Sequence, residues 1–232
     1  MQIKSFLSYL PQNIYELSEK VDCNDPIDRK EEELLSIIPK DRKRSYEMRD
    51  IVKLVFDKDS FFEMTKFFGK GIITGFARIN GFPVAIFAND SNFYAGSMSA
   101  EGAQKTSRFI RLCDTFRIPI VSLVDEPGFL IGPDAERAGT ILHGTEAVLA
   151  TTESKVPWTT IMIRKSFGVA AAAHYGPDGY VLAWPSAESG PLPLEGGVAV
   201  AFKKEIASAK NPEAKRKELE EKMAKNQSPF PR

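Results

Sequence analysis

Two apolar runs, residues 72–79 and 82–88, are separated by nothing but Asn80 and Gly81. Asn-Gly accepts the two positive φ angles of a type I′ turn, whose twist suits the strands on either side. The spacing therefore predicts a β-hairpin. A short helix is predicted just before it, over 48–56, from the stripe of Ile51, Val52, Val55 and Phe56. After the hairpin, a helical stripe runs over 101–116 through Ala103, Phe109, Ile110, Leu112 and Cys113, and Pro119 opens the buried run 120–124. The order then repeats: 135–153 reads as a helix, 158–163 as a buried strand, 167–173 as a new helix start and 180–184 as a further strand. Helical patterns around 197–209 and 212–225 follow, the latter with Asn211 to cap it, Pro212 at its first position, and Leu219 and Met223 on one face. Residues 229–232 add no closing element. Strand and helix alternate, so the class is α/β.

The 232 residues suffice to bury roughly 70% of the unfolded surface in one core. Hydrophobic residues at 43% and charged residues at 27% are those of a globular chain. Lys plus Arg equals Asp plus Glu at 31 each, so no whole-chain field draws it to nucleic acid or anionic lipid. Cys23 and Cys113 form no CxxC, and the two His make no cluster with them; a reducing, cytoplasmic setting and no metal are expected. The first residues hold one Lys and no long apolar run, and nowhere do about 18 uncharged apolar residues follow one another, so neither export nor membrane insertion is expected. From Asp22 to Arg49 charge is dense and broken by Pro26 and Pro39. Residues 1–45 are accordingly read as a linker or strap without a site, and 46–232 as the main domain.

Two stretches carry candidate chemistry. Between Trp158 and His174 a β-rich run meets Phe167-Gly168 and a small-residue series. A helix starting there would expose the backbone N–H groups near Gly168, Val169 and Ala170 to a developing oxyanion; the same small residues equally suit close helix packing. Residues 125–134 leave a buried strand through a Gly-rich loop, where ligands tend to sit in open α/β sheets. Asp125 or Glu126 is a base without a visible partner, or a turn former. His143 and His174 each stand alone and read as structural. Arg164 and Lys165 either steer an anion or lie at a strand end in water.

The segments NGFPVAIFAN (80–89), RFIRLCD (108–114), IPIVSLVDEPGF (118–129), His143-Gly144 and Arg164-Lys165 resemble, in order, the carboxyltransferase subunits of acetyl- and propionyl-CoA carboxylases. The likeness extends from about Phe6 to Arg232, with FLSYLP (6–11) and DPID (25–28) similar to the bridge between that family's two halves, so the chain is identified as its C-terminal half. The resemblance implies a crotonase-like fold of repeated ββα units, with carboxybiotin entering this half and acyl-CoA largely the other. It implies that the amides of Val169 and Ala170 hold the biotin carbonyl, that Gly168, Pro127, Gly128 and Phe129 help bind biotin, and that Ala171 and Ala172 help select the acyl group. It implies as partners an N-terminal carboxyltransferase half, a biotin carboxyl carrier protein and biotin carboxylase, in a hexameric homo-oligomer. No Met-Lys-Met biotinylation motif or ATP-binding Gly-rich loop occurs, so biotin is expected on another chain or domain.

Departures include Val169 where the family usually repeats Gly, Ala171 to His174 where Tyr and Asp are more frequent, Asn89-Asp90-Ser91 for Asn-Gln-Pro, and Glu126 for Thr or Val. The small Ala171 and Ala172 suggest a bulkier acyl group. Beside the carboxyltransferase stand a sodium-linked decarboxylase subunit, a non-catalytic oligomerisation or carrier-docking module, and a hydratase or isomerase, which would need an acid/base pair that the sequence does not display.

Overall fold

The Asn80-Gly81 turn forms with φ of 50° and 80°, the pair of positive angles that type I′ requires. Asp57 fixes it, accepting from Asn80 N at 2.9 Å and Gly81 N at 2.8 Å. A computed structural model describes residues 2–42, 44–224, 227 and 229. In it β1 (Phe62–Met64), β2 (Ile72–Ile79) and β3 (Phe82–Asn89) pair antiparallel, and β4 (Ile120–Glu126), β5 (Trp158–Phe167) and β6 (Tyr180–Ala183) extend the same sheet in parallel. A last short strand, β7 (Glu188–Gly190), pairs with the far end of β5. β1 and β7 escape sequence reading because three residues carry no measurable period.

The central strands are buried on both faces, and their residues divide with period two. Along β3, Ala85 and Phe87 join one core while Val84, Ile86 and Ala88 join the other. Helices α1 (Gln2–Leu7) and α2 (Met48–Val55) precede the hairpin, and α3 (Ala100–Phe116) follows it. Phe6 beside α1's end, Phe109, Ile110 and Cys113 of α3, and Ala147 and Ala150 cover the first face; Met48, Ile51 and Val52 of α2 cover the second. Segment 2–42 lies along this body: Tyr9 is buried in the first core, Val21 N donates to Gly81 O at 3.2 Å, and Leu34, Ile37 and Ile38 pack on the second core.

Three helix boundaries differ from the sequence expectation. The single helix expected over 135–153 is two, α4 (Pro133–Arg137) and α5 (Thr140–Thr152), because Gly139 turns left-handed at φ 73° between them. The 197–209 pattern divides at Phe202 into α6 (Leu194–Ala201) and α7 (Lys203–Ser208). At 167, strand continues where a helix start was expected. The final helix, α8 (Pro212–Ala224), is capped as expected, Asn211 Oδ1 accepting from Ala214 N at 3.1 Å, and sets Leu219 and Met223 against α6 in a small third cluster. The expectations for Lys225 and for residues 230–232 lie outside the described residues. Among those described, no helix is long and apolar enough to cross a membrane, and no group of acidic, His and Cys side chains is arranged to hold a metal.

Lys105, on α3, is almost wholly buried, and its ammonium donates to the carbonyls of Thr65, Phe68 and Ile72 at 3.1, 3.1 and 2.7 Å. It thereby ties the loop ahead of β2 to the helix across the sheet. Burial pushes its pKa down to about 8. Lys105→Met should cost about 2 kcal/mol or more in urea unfolding, since three carbonyls lose their donor. Between about pH 8 and the ordinary lysine value the unfolded chain binds more protons at this site than the folded chain, so wild-type stability should rise with pH there. The variant should lack that rise.

Candidate functional site

β4 and β5 end side by side, with Glu126 opposite Ser166. Residues leaving these two strands therefore share one edge of the sheet, the carboxyl edge where parallel sheets place their ligands. The loop 127–129 leaves β4. Gly168 leaves β5 at φ 65° and starts a 3-10 turn, Val169–His174. Thus the small-residue series makes six residues of 3-10 helix rather than an α-helix, and its end is fixed by Trp158 Nε1 and Thr160 Oγ1, which donate to His174 O at 3.0 and 2.7 Å. Such a turn has too few aligned peptides for a strong macrodipole, but its first N–H groups still precede the first i→i+3 bond. Those groups belong to Val169 and Ala170. Val169 is 71% exposed, whereas Ala170, Ala171 and Ala173 are buried and Ala172 faces solvent. Close packing and an exposed amide end, alternatives on sequence, coexist.

Opposite, loop 127–129 is half-buried. Gly128 has φ 132° and its N–H donates to Glu126 Oε1 at 2.9 Å. Met98 N donates to Gly128 O at 3.2 Å and Leu130 N to Met98 O at 2.9 Å. The Phe129 ring lies on Gly144 of α5, so closely that a Cβ there would stand 2.4 Å from it. This contact accounts for the His143-Gly144 pair noted in the sequence. His143 itself bridges Gln104 (2.8 Å) and Glu146 (3.2 Å), between α3 and its own helix.

Below the two loops are buried charges that the sequence left without partners. Asp125 is fully buried and paired with Arg164, Nη2 to Oδ2 at 2.9 Å and Nε to Oδ1 at 3.3 Å; Lys165 N also donates to it, at 3.1 Å. Arg164 reaches Arg44 O at 2.8 Å and stacks over Tyr46. Neither sequence alternative for Arg164 holds, since it neither steers an anion nor lies in water. Lys165 Nζ donates to Ala95 O at 2.7 Å, and burial lowers its pKa. Ala95, which receives this contact, and Tyr94 before it hold consecutive left-handed angles of 55° and 52°, an unusual conformation for residues with side chains and one that clusters near functional sites.

Glu126, expected to lack a partner, has three. It is fully buried and accepts from Asn89 Nδ2 and Gly128 N, both at 2.9 Å, while His174 Nε2 stands 3.7 Å from its Oε2. Asn89 is itself tied, its Nδ2 to Gly96 O and its Oδ1 to Asp125 N, each at 3.0 Å. His174, at the end of the 3-10 turn, is fully buried, stacks on Phe87 with centroids 4.2 Å apart, and meets Ser122 Oγ through Nδ1 at 2.8 Å. Burial pushes the Glu126 pKa up.

Residues 1–231 match the family model described as carboxyl transferase domain. The chain belongs to that family. Within the carboxyl transferase family it is 40% identical over 221 residues to the propionyl-CoA carboxylase carboxyltransferase subunit of Haloferax mediterranei, covering 94% of this chain and 43% of that one. It is 37% identical over 220 residues to the methylmalonyl-CoA decarboxylase alpha subunit of Propionigenium modestum, covering 93% and 42%. Among solved structures, transcarboxylase 12S, described as a hexamer with methylmalonyl-coenzyme A and methylmalonic acid bound, superposes with a TM-score of 0.91 at 37% identity, over 98% of this chain and 44% of that one. The α/β sheet described above is the family's crotonase-like fold. The chain spans about two-fifths of the length of the relatives it matches.

The carboxyl transferase motif IPIVSLVDEPGF thus contains both the site loop and the two buried carboxylates beneath it. Sequence reading missed the Glu126–His174 and Asp125–Arg164 pairs, whose members lie 48 and 39 positions apart. A visible signal existed only in part: charged residues inside apolar strand patterns at Asp125, Glu126 and Arg164 suggest buried partners, though not which. Arg164→Met should cost about 3–5 kcal/mol in urea unfolding, because it strands the Asp125 charge in the interior. Lys53→Met at an exposed pair should cost under about 1 kcal/mol.

Proposed function

We propose that this chain supplies the biotin-facing part of an acyl-CoA carboxyltransferase, in which a carboxyl group passes between biotin and the α carbon of an acyl-CoA. The observation that carries the proposal is the start of the 3-10 turn, where Val169 is exposed and the Val169 and Ala170 N–H groups precede the first bond of the turn, on the same sheet edge as loop 127–129 at the ends of neighbouring strands. A ureido carbonyl suits such a donor set. Two successive N–H groups at the start of a turn can serve one oxygen, and at Gly168 a Cβ would meet only Pro191 O, at 3.4 Å. When bound, biotin supplies the nitrogen that carries the carboxyl group and then accepts the substrate's α-proton.

The protein's own contribution is to bind and orient. Val169 and Ala170 N–H stabilise negative charge that grows on the ureido oxygen as the carboxyl group departs, without a nucleophile or a protein base. Pro127, Gly128 and Phe129 form the opposite wall, held by Met98 and Gly144. Asp125, neutralised by Arg164 and sealed from solvent, is excluded as the base considered from sequence. Of the two alanines assigned to acyl selection, Ala172 is the exposed one, so it is the better candidate to face the acyl group.

Partners belong to the same proposal: an N-terminal carboxyltransferase half, a biotin carboxyl carrier protein and biotin carboxylase, in a hexameric assembly and a reducing cytoplasm. The greater length of the relatives and the hexamer of transcarboxylase 12S support it. So do the two free cysteines. A subunit of a biotin-dependent decarboxylase is the second reading, favoured by the likeness to the Propionigenium modestum alpha subunit; it uses the same site in the opposite direction.

Carboxyl transfer should be measured with carboxylated biotin and a panel of acyl-CoAs, with the complementary half added in trans. Val169→Pro removes one N–H at an exposed position where proline fits the first residue of a turn. It should lower kcat by about 10²–10³-fold with little change in KM. Unchanged turnover would overturn the assignment of the oxyanion site, and absence of transfer from the wild-type pair the carboxyltransferase reading. Acyl-CoAs bulkier than propionyl should be accepted, and Ala172→Tyr should exclude them first.

A further inference from the structure

Where the strands β4 and β5 end, the last residue of β4, Glu126, and the last residue of the 3-10 turn, His174, approach each other in the buried interior. We propose that Glu126 and His174 share a proton and act as a latch, a positioning pair that fixes loop 127–129 relative to the turn Val169–His174. The inference rests on the functional reading above for its purpose, and on geometry alone for its existence.

Both side chains are fully buried, and His174 Nε2 finds no hydrogen-bond partner although it stands 3.7 Å from Glu126 Oε2. A buried ring nitrogen left unsatisfied is destabilising, so a proton between the two atoms relieves both groups. Charge gives the same answer. In a dry interior, a pair holding one titratable proton is neutral, whether written as acid and imidazole or as carboxylate and imidazolium; losing that proton or gaining a second leaves an uncompensated buried charge. Ser122 Oγ, 2.8 Å from Nδ1, is placed to accept the other ring proton in that tautomer, and Phe87 stacked at 4.2 Å fixes the ring plane.

Among the neighbouring charges, Lys165 on β5 feels the Glu126 carboxylate, yet its ammonium is bonded to Ala95 O and paired with Asp125, and Ser166 is bonded to the Tyr175 hydroxyl at 2.7 Å. From β4, Asp125 is matched by Arg164; from β3, only the uncharged Asn89 reaches Glu126. The latch has mechanical reach because each member is tied to one wall. Glu126 holds the Gly128 amide at 2.9 Å, and His174 is the closing residue of the turn whose opening amides are Val169 and Ala170.

The chain has only two histidines, so ring-nitrogen NMR of the 15N-His protein resolves them, with His143→Gln identifying the other. His174 should carry a proton on Nδ1 and show an Nε2 signal intermediate between bare and protonated. Glu126→Gln should abolish the intermediate signal. In the same variant, amide exchange should quicken about ten-fold at Gly128 and across 169–174 together, while β3 amides stay protected. A bare Nε2 in the wild-type protein, an intermediate signal that survives Glu126→Gln, or quickening at Gly128 alone would overturn the latch. The wild-type spectrum decides the first even if the variant fails to fold. Carboxyl transfer measured on the same samples tests the functional reading separately: an intact latch without transfer overturns that reading and leaves the latch standing.

Discussion

The parallel pairing of β4 with β5, bolted at its carboxyl end by the buried Asp125–Arg164 ion pair, is the constraint on which the site depends. Two strands that end together deliver two loops to one place. An ion pair without solvent is favourable only when its remaining hydrogen-bonding capacity is used, and here it is: the Lys165 amide completes Asp125, and the Arg44 carbonyl and the Tyr46 ring complete Arg164. Because Arg44 and Tyr46 precede the sheet in sequence, the same pair anchors the end of the leading segment to the strand ends.

With its acidic groups neutralised or sealed, the edge of the sheet offers mainly peptide N–H groups and apolar side chains. This suits chemistry in which the protein stabilises charge on a bound group and leaves proton transfer to that group. It also fits the residues proposed for the site, Val, Ala, Gly, Pro and Phe, which no search for catalytic side chains would select.

The hairpin, the helices over 48–56 and 101–116 and the strands β4 to β6 were legible in the sequence because each is long enough for its period to show, or is punctuated by Asn-Gly or Pro. Misreadings fell where one local pattern had two solutions. Gly139 left no mark inside an otherwise helical stripe until its φ was known. Likewise the run from Phe167 to Ala173 satisfies helix propensity, yet β7 claims Phe167 for the sheet and the bonds to His174 O close the turn after six residues. His174 itself, read as a lone structural histidine, is structural, but it is not alone.

By itself the sequence determined the α/β class, the order of the elements and, through its motifs, the two stretches proposed to meet a ligand. Those properties are local: they depend on periodicity, turn chemistry and a few neighbouring residues. Only the tertiary structure decided that those stretches leave the sheet at neighbouring strand ends, that Ala172 rather than Ala171 is open to solvent, and that Asp125 and Glu126 have partners. Pairing across 39 and 48 positions follows from strand register and from the need to neutralise charge in a dry interior, and neither is written in any window of the chain.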